Sequence, residues 1–186
     1  MQREYGLGAK SLELLKQLVP KVTRVAVVRD PTTTGGAGQF GAIQAVAPNF
    51  KVELTTIDVR TAAEIERGMA AFARVSNGGV IVTQGALAQA HRKLLISQAN
   101  QHRLPVVYPV GFFVLDGGLA SYGADFGAGY RGAAAYVDRI LKGEKPADMP
   151  VQQPSKYELL VNLKAARSIG LSIPQAVLLR ADKVIE

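Results

Sequence analysis

The chain has 186 residues, 48% of them hydrophobic and 20% charged, which suits one sizeable globular domain that needs no staple to hold its core. It contains no cysteine, which excludes a disulfide framework, a zinc–thiolate cluster and a thiol nucleophile. The net charge of +7 is scattered, with Arg92-Lys93 the only adjacent basic pair and no tryptophan, so no nucleic-acid partner is expected. The longest apolar runs, such as Val25 to Val28 and Val106 to Val114, fall short of the ~20 residues that cross a bilayer. The start, Met1-Gln-Arg-Glu, lacks the apolar core of an export signal, so the chain as written is expected to stay where it is made.

Valine- and isoleucine-rich segments alternate with segments of helical spacing. Leu12, Leu15 and Val19 share one face of a first helix, and Val22 to Arg29 reads as a buried strand. After a second strand, Val52 to Val59, Thr61 and Glu64 form a capping box for a helix whose inner face is Ile65, Met69 and Phe72. A third strand, Gly79 to Thr83, leads into one helix from about Ala86 to His102 carrying Leu87, Leu94 and Leu95. Pro105 to Tyr108 is a fourth strand and Leu119 to Tyr122 a shorter fifth. Tyr130, Ala134, Val137 and Leu141 line a helix from about Phe126 to Lys142, which Gly143 and Pro146 stop. The proline-rich connection Pro146 to Pro154 precedes a strand at Tyr157 to Val161. Asn162 caps a short helix closed by Gly170, and the tail beyond Ile173-Pro174 reads as irregular.

This alternation predicts an α/β fold, a mostly parallel sheet with helices on both faces. In such sheets ligands sit beyond the carboxyl ends of the strands. Four loops are selected: Asp30 to Gly38, Thr83 to Ala86, Tyr108 to Phe113 and Tyr122 to Phe126. From them come the candidate ligand-binding residues Asp30, Thr32, Thr33, Gln84, Gly85, Ala86, Tyr108, Phe112, Tyr122 and Asp125. The aromatic ones offer rings for stacking or simply fill core. The Asp30 loop offers a carboxylate and hydroxyls, or is an Asp-Pro turn with hydroxyl caps.

Gly36-x-Gly38-x-x-Gly41 matches a dinucleotide fingerprint, with Asp58 near the position of a ribose-binding acid. Six residues separate Arg29 from Gly36, whereas in a dinucleotide site the first glycine ends the strand. A dinucleotide-dependent enzyme therefore stands as an alternative beside small residues at a helix start. His91 and His102 lie ~16 Å apart on one continuous helix, too far to share a metal. Asp116 and Asp125 flank a glycine turn and read as loop or ligand contacts before a catalytic pair. No catalytic residues, cofactor or metal are expected.

The segment Lys10 to Pro31 resembles the entry into the second lobe of ABC-transporter substrate-binding proteins, a family with the type I periplasmic-binding fold. Gly117-Gly-Leu-Ala-Ser-Tyr-Gly123 resembles that family's return crossing. Ile140 to Asp148, Tyr157 to Lys164 and Arg180 to Glu186 resemble its C-terminal third. The resemblance implies a flavodoxin-like lobe over residues 1–116, a crossing segment and first-lobe helix over 117–150, and a returning strand, short helix and tail over 151–186. It also implies a small polar or aromatic solute held between two lobes without chemistry, a permease as partner and a periplasmic location. A sensory ligand-binding domain on the same fold is a further alternative. The family's export signal and first lobe have no counterpart here, so a truncated chain is expected. Its helix near 126–142 would then expose an apolar stripe and promote self-association. The third-strand loop Thr83-Gln84-Gly85-Ala86 lacks the acid that amino-acid-binding members tend to carry there.

Overall fold

The computed structural model describes residues 2–152 and 156–186; residues 153–155 of the proline-rich connection lie outside the described residues. The chain begins with helix α1 (Gln2–Leu18) and the strand β1 (Arg24–Arg29). Then follow α2 (Thr34–Val46), β2 (Glu53–Asp58), α3 (Ala62–Ala73) and β3 (Gly78–Val82). Next come α4 (Ala86–Ala90), α5 (Arg92–Gln101), β4 (Val106–Tyr108), α6 (Gly111–Leu115), β5 (Ala120–Ala124) and α7 (Phe126–Leu141). The last elements are β6 (Tyr157–Asn162), α8 (Leu163–Ser168), α9 (Gln175–Leu178) and β7 (Lys183–Ile185).

Seven strands form one sheet in the order β2-β1-β3-β4-β5-β6-β7. β1 to β5 are parallel, β6 runs antiparallel to β5, and β7 follows β6. Strand alternation sends Ala26, Val28, Val80, Val82 and Val106 to one face, where Ile65, Met69 and Phe72 of α3 and Leu95 of α5 close over them. Val25, Val27, Ile81 and Val107 face the other way, onto Leu12, Leu15 and Leu18 of α1 and Ile43 of α2. The expected α/β architecture is the observed one.

Three local expectations change. The helix from Ala86 to His102 is interrupted at His91 (φ −94, ψ 18), where the chain resets between α4 and α5. Arg92 is thereby free to reach Asp116 and to lie over the Phe112 ring. The tail beyond Pro174 is ordered: α9 precedes β7, whose entry is tied by Asp182, with N–H to the Leu159 carbonyl at 2.9 Å and Oδ2 accepting from Leu159 N–H at 2.8 Å. A three-residue strand carries too little periodicity to be read in advance.

The third change concerns the lobe boundary. β5 pairs with β4 (Val107↔Ala120, Tyr108↔Ser121), so the sheet runs on past residue 116. The chain leaves it only after Ala124 and returns at Tyr157. α7, on that excursion, has no buried residue, and Tyr130 and Leu141 are 74% and 81% exposed.

Asn162 fastens the return. Its Oδ1 accepts from Ala165 N–H at 2.9 Å, capping α8, and its Nδ2 donates to the Val114 carbonyl at 3.3 Å. Asn162→Ala removes the cap and the side-chain bond to the Val114 carbonyl, which keeps the Gly117 N–H at 3.1 Å, and the two losses together should cost about 2 kcal/mol. At this chain length that is a fall of roughly 4–8 °C in melting temperature, readable by thermal denaturation.

Candidate functional site

The carboxyl ends of β1, β3, β4 and β5 lie side by side along one edge of the sheet. At the end of β1, Asp30 is only 7% exposed. Its Oδ1 accepts from the Thr32 hydroxyl at 2.6 Å and the Thr32 backbone N–H at 2.9 Å. These bonds to the ionised form, the hydroxyl first, hold its carboxyl below the usual carboxylate range. Thr33 caps α2, its Oγ accepting from Gly36 N–H at 3.3 Å. A β-carbon on Gly36 would stand 2.5 Å from the Asp30 carbonyl oxygen, so a glycine lets α2 start this close to the strand end.

The β3 loop is fixed against the β1 loop. The Thr83 hydroxyl donates to the Val28 carbonyl at 3.0 Å, and Gln84 N–H donates to Oε1 of buried Gln39 at 2.8 Å. A β-carbon on Gly85 would lie 3.7 Å from Asp30 Cβ, and one on Gly35 would lie 3.9 Å from the Gln84 carbonyl oxygen. The two loops therefore touch, and Asp30, Thr32, Thr33, Gln84 and Gly85 make one rim. Ala86, the first residue of α4, is exposed beside it.

The other two loops are equally constrained. A β-carbon on Gly123 of β5 would overlap the Pro109 carbonyl oxygen at 1.9 Å, so only glycine admits this approach of the β4 loop. Asp125 caps α7 by accepting from Ala128 N–H at 3.0 Å and from Lys156 Nζ at 3.1 Å. The Ala128 bond, then Lys156, lowers its pKa. A cavity of about 740 Å³ opens between this edge and α7, lined by Gln84, Val110 and Asp125 from the loops and by Tyr130 and Tyr136 from the helix.

The remaining candidates lie elsewhere. Tyr108 is 1% exposed, stacked on Phe113 at 4.9 Å between centroids, with its hydroxyl unpartnered; burial pushes its phenol pKa up. Phe112 is half-buried against Phe113 at 5.2 Å, under the Arg92 guanidinium at 5.1 Å. Tyr122 stacks on Tyr157 at 6.2 Å and sits beside Leu14 and Gln17 of α1. Tyr108 and Tyr122 belong to strands, and strand side chains project to the sheet's faces rather than its edge. Gln84, Val110 and Asp125, just after β3, β4 and β5, face the cavity instead. Val110 carried no signal in the sequence, and Tyr130 was legible only as part of an apolar stripe.

Gly36, Gly38 and Gly41 are wound into α2, whose first residue is Thr34. No glycine turn ends β1 where a pyrophosphate would have to approach. A family model described as "ABC transporter substrate binding protein" matches residues 7–185. The chain belongs to that family. It is 22% identical over 178 residues to the tyrosine-binding protein of Clostridioides difficile (strain R20291), covering 94% of this chain and 51% of that one. A solved ABC domain from Streptococcus pneumonia in complex with L-Trp has a TM-score of 0.83 at 25% identity, over 96% of this chain and 60% of that chain. A conserved domain protein from Vibrio cholerae O1 biovar eltor gives 0.83 at 26%, over 95% and 60%. The chain thus spans about half the length of the curated relative it matches. These relatives of the substrate-binding family, with the glycines inside α2, replace the reading of a dinucleotide-dependent enzyme. No helix among the described residues is long and apolar enough to cross a membrane.

The Asp125 cap has a pH signature. Its folded-state pKa lies below the unfolded value of about 3.9, so its contribution is present above that value and lost as pH falls through the folded one. Asp125→Asn keeps a capping oxygen but loses the charge. The stability difference between the two proteins, measured by chemical denaturation, should stay constant from neutral pH to about pH 5 and shrink as the pH falls through and below about 3.9.

Proposed function

We propose that this chain forms one wall of a solute receptor serving an ABC-type importer. It binds a small polar or aromatic molecule between two lobes and passes it to a permease without altering it. The location that goes with this role is the periplasm or the cell exterior. The observation that carries the reading is the cavity between the strand ends and α7, lined by Gln84 of the fixed polar rim, by Asp125, and by Tyr130 and Tyr136 on its far side. A preformed rim is what a binding protein needs, because ordering loops on binding lowers affinity. The tyrosine-binding and L-Trp-bound relatives support an aromatic solute.

In this reading residues 125–152 serve the first lobe, and hinge closure brings that lobe onto the rim. Thermal shifts of this chain, and of the chain joined behind the first lobe of a relative, test it with amino acids, aromatic acids, small carboxylates and purines. A true ligand at a hundred times its Kd stabilises by ~2.7 kcal/mol, several degrees at this size. Stabilisation in the two-lobed form, lost in Gln84→Ala, is the expected outcome. No shift from any compound in either form would overturn the reading.

The exposed stripe of α7, Tyr130, Val137 and Leu141, is the seat of that first lobe. Without it, copies of the chain should cover the stripe on one another at tens of micromolar concentration. Sedimentation should show association, abolished by Val137→Lys with Leu141→Lys. A clean monomer would sink this idea.

A further inference from the structure

At the ligand edge the cations Arg29, Lys156 and Arg131 face carboxylates, the first at 2.9 Å from Asp58 and the others at 3.1 and 3.9 Å from Asp125. The opposite edge of the sheet differs. Because β1 to β4 are parallel, the turns that feed them lie side by side. Glu53 N–H donates to the Thr23 carbonyl at 2.8 Å, Thr23 N–H to the Asn77 carbonyl at 3.1 Å, and Val80 N–H to the Pro105 carbonyl at 2.9 Å. Each turn carries a basic residue: Lys21 before β1, Lys51 before β2, Arg74 before β3 and Arg103 before β4. All of these are exposed, and none forms an ion pair among the described residues. Arg24 joins them at the start of β1, donating to the Val75 carbonyl at 3.1 Å and lying over the Phe72 ring at 4.7 Å. Glu53 is the only acidic residue of these turns and strand starts. Cations scattered along the sequence are thus gathered by the parallel topology into a row about 15 Å wide.

Two of these cations stand where the backbone favours glycine. Lys51 (φ 52) and Arg103 (φ 51) are in the left-handed region, so turn geometry does not account for their long side chains. An exposed row of unpaired cations fits an anionic partner. No ring stands free among them for bases to stack on: Phe72 is buried beneath Arg24, and Phe50 packs against the core. Val75, 54% exposed in the same row, supplies an apolar side chain of the kind that enters a lipid headgroup layer. We infer that the amino-end edge of the sheet is a docking surface for an anionic lipid membrane. Seated that way, the chain stays at a membrane surface while its ligand edge, at the other end of the strands, remains uncovered.

Flotation with vesicles of phosphatidylcholine, alone and mixed with phosphatidylglycerol, tests this at low and high salt. Binding should require phosphatidylglycerol and be lost at high salt. At roughly fivefold per cation near the surface, a variant carrying Lys21→Gln, Lys51→Gly and Arg103→Gly should bind about a hundredfold more weakly. Its glycines ease the two left-handed turns, so its melting temperature should not fall. A control carrying Arg67→Gln, Lys93→Gln and Lys183→Gln removes the same charge from other surfaces and should bind nearly as tightly as the parent. No binding to the phosphatidylglycerol vesicles, or an equal loss in both variants, overturns the inference. So does equal binding to phosphatidylcholine alone, which would come from the apolar stripe of α7 instead. Tighter binding to a DNA oligonucleotide than to the vesicles overturns it as well. An edge variant that melts early yet binds undiminished would also overturn it, assigning the cations to the helix ends they follow.

Discussion

Val25 to Val28 have no exposed surface, and hiding both faces of that interior strand is the constraint on which the rest depends. A strand buried on both sides needs a helix layer on each, and parallel neighbours on either side force every connection to cross the sheet. Those crossings put α1 and α2 on one face and α3 and α5 on the other. They also put the β1, β3, β4 and β5 loops along one edge, with polar groups that the interior cannot accept. The ligand edge is therefore the remainder of a packing problem, which is why it can be rigid without a core of its own.

Rigidity there comes from two close backbone approaches and a few hydrogen bonds. Gly36 and Gly123 matter for what they lack: a β-carbon at either would meet a backbone carbonyl oxygen. Gln39 and Thr83 hold the β3 loop to α2 and β1 through hydrogen bonds that leave the Gln84 side chain available to the cavity. The polar rim is thus positioned from behind, by Gln39, Thr83 and the bare backbone of Gly36.

The hydrophobic period carried most of this architecture. Ile65, Met69 and Phe72 are buried as their spacing requires, and Thr61–Glu64 closes its capping box in the structure. The loop rule pointed to Asp30 and Gln84, whose loops the structure brings into contact, because it depends on strand direction alone. Spacing does not say which face a strand residue takes, so the rings of Tyr108 and Tyr122 were legible as aromatics near a loop but not as occupants of opposite core layers. Nor does it register a contact between residues 30 and 85, which are distant in sequence and joined by the absence of a side chain. The reset at His91 and the three residues of β7 fall below the length at which a period exists.

α7 is the element that the fold itself does not require. Neither core layer contains a residue of it, and both are closed without it. Yet its sequence is amphipathic, with apolar side chains at Tyr130, Val137 and Leu141 left in water. Apolar surface of that kind on a regular helix is ordinarily buried against something. The cavity lies on the same excursion of the chain, between α7 and the polar rim, so whatever covers the helix also bears on the ligand edge. A surface seated on α7 would border the same space that Gln84 lines, so on the proposed reading covering and binding are coupled. A lobe that folds on its own core but carries one unburied helix beside its binding edge has the construction of half a closing cleft.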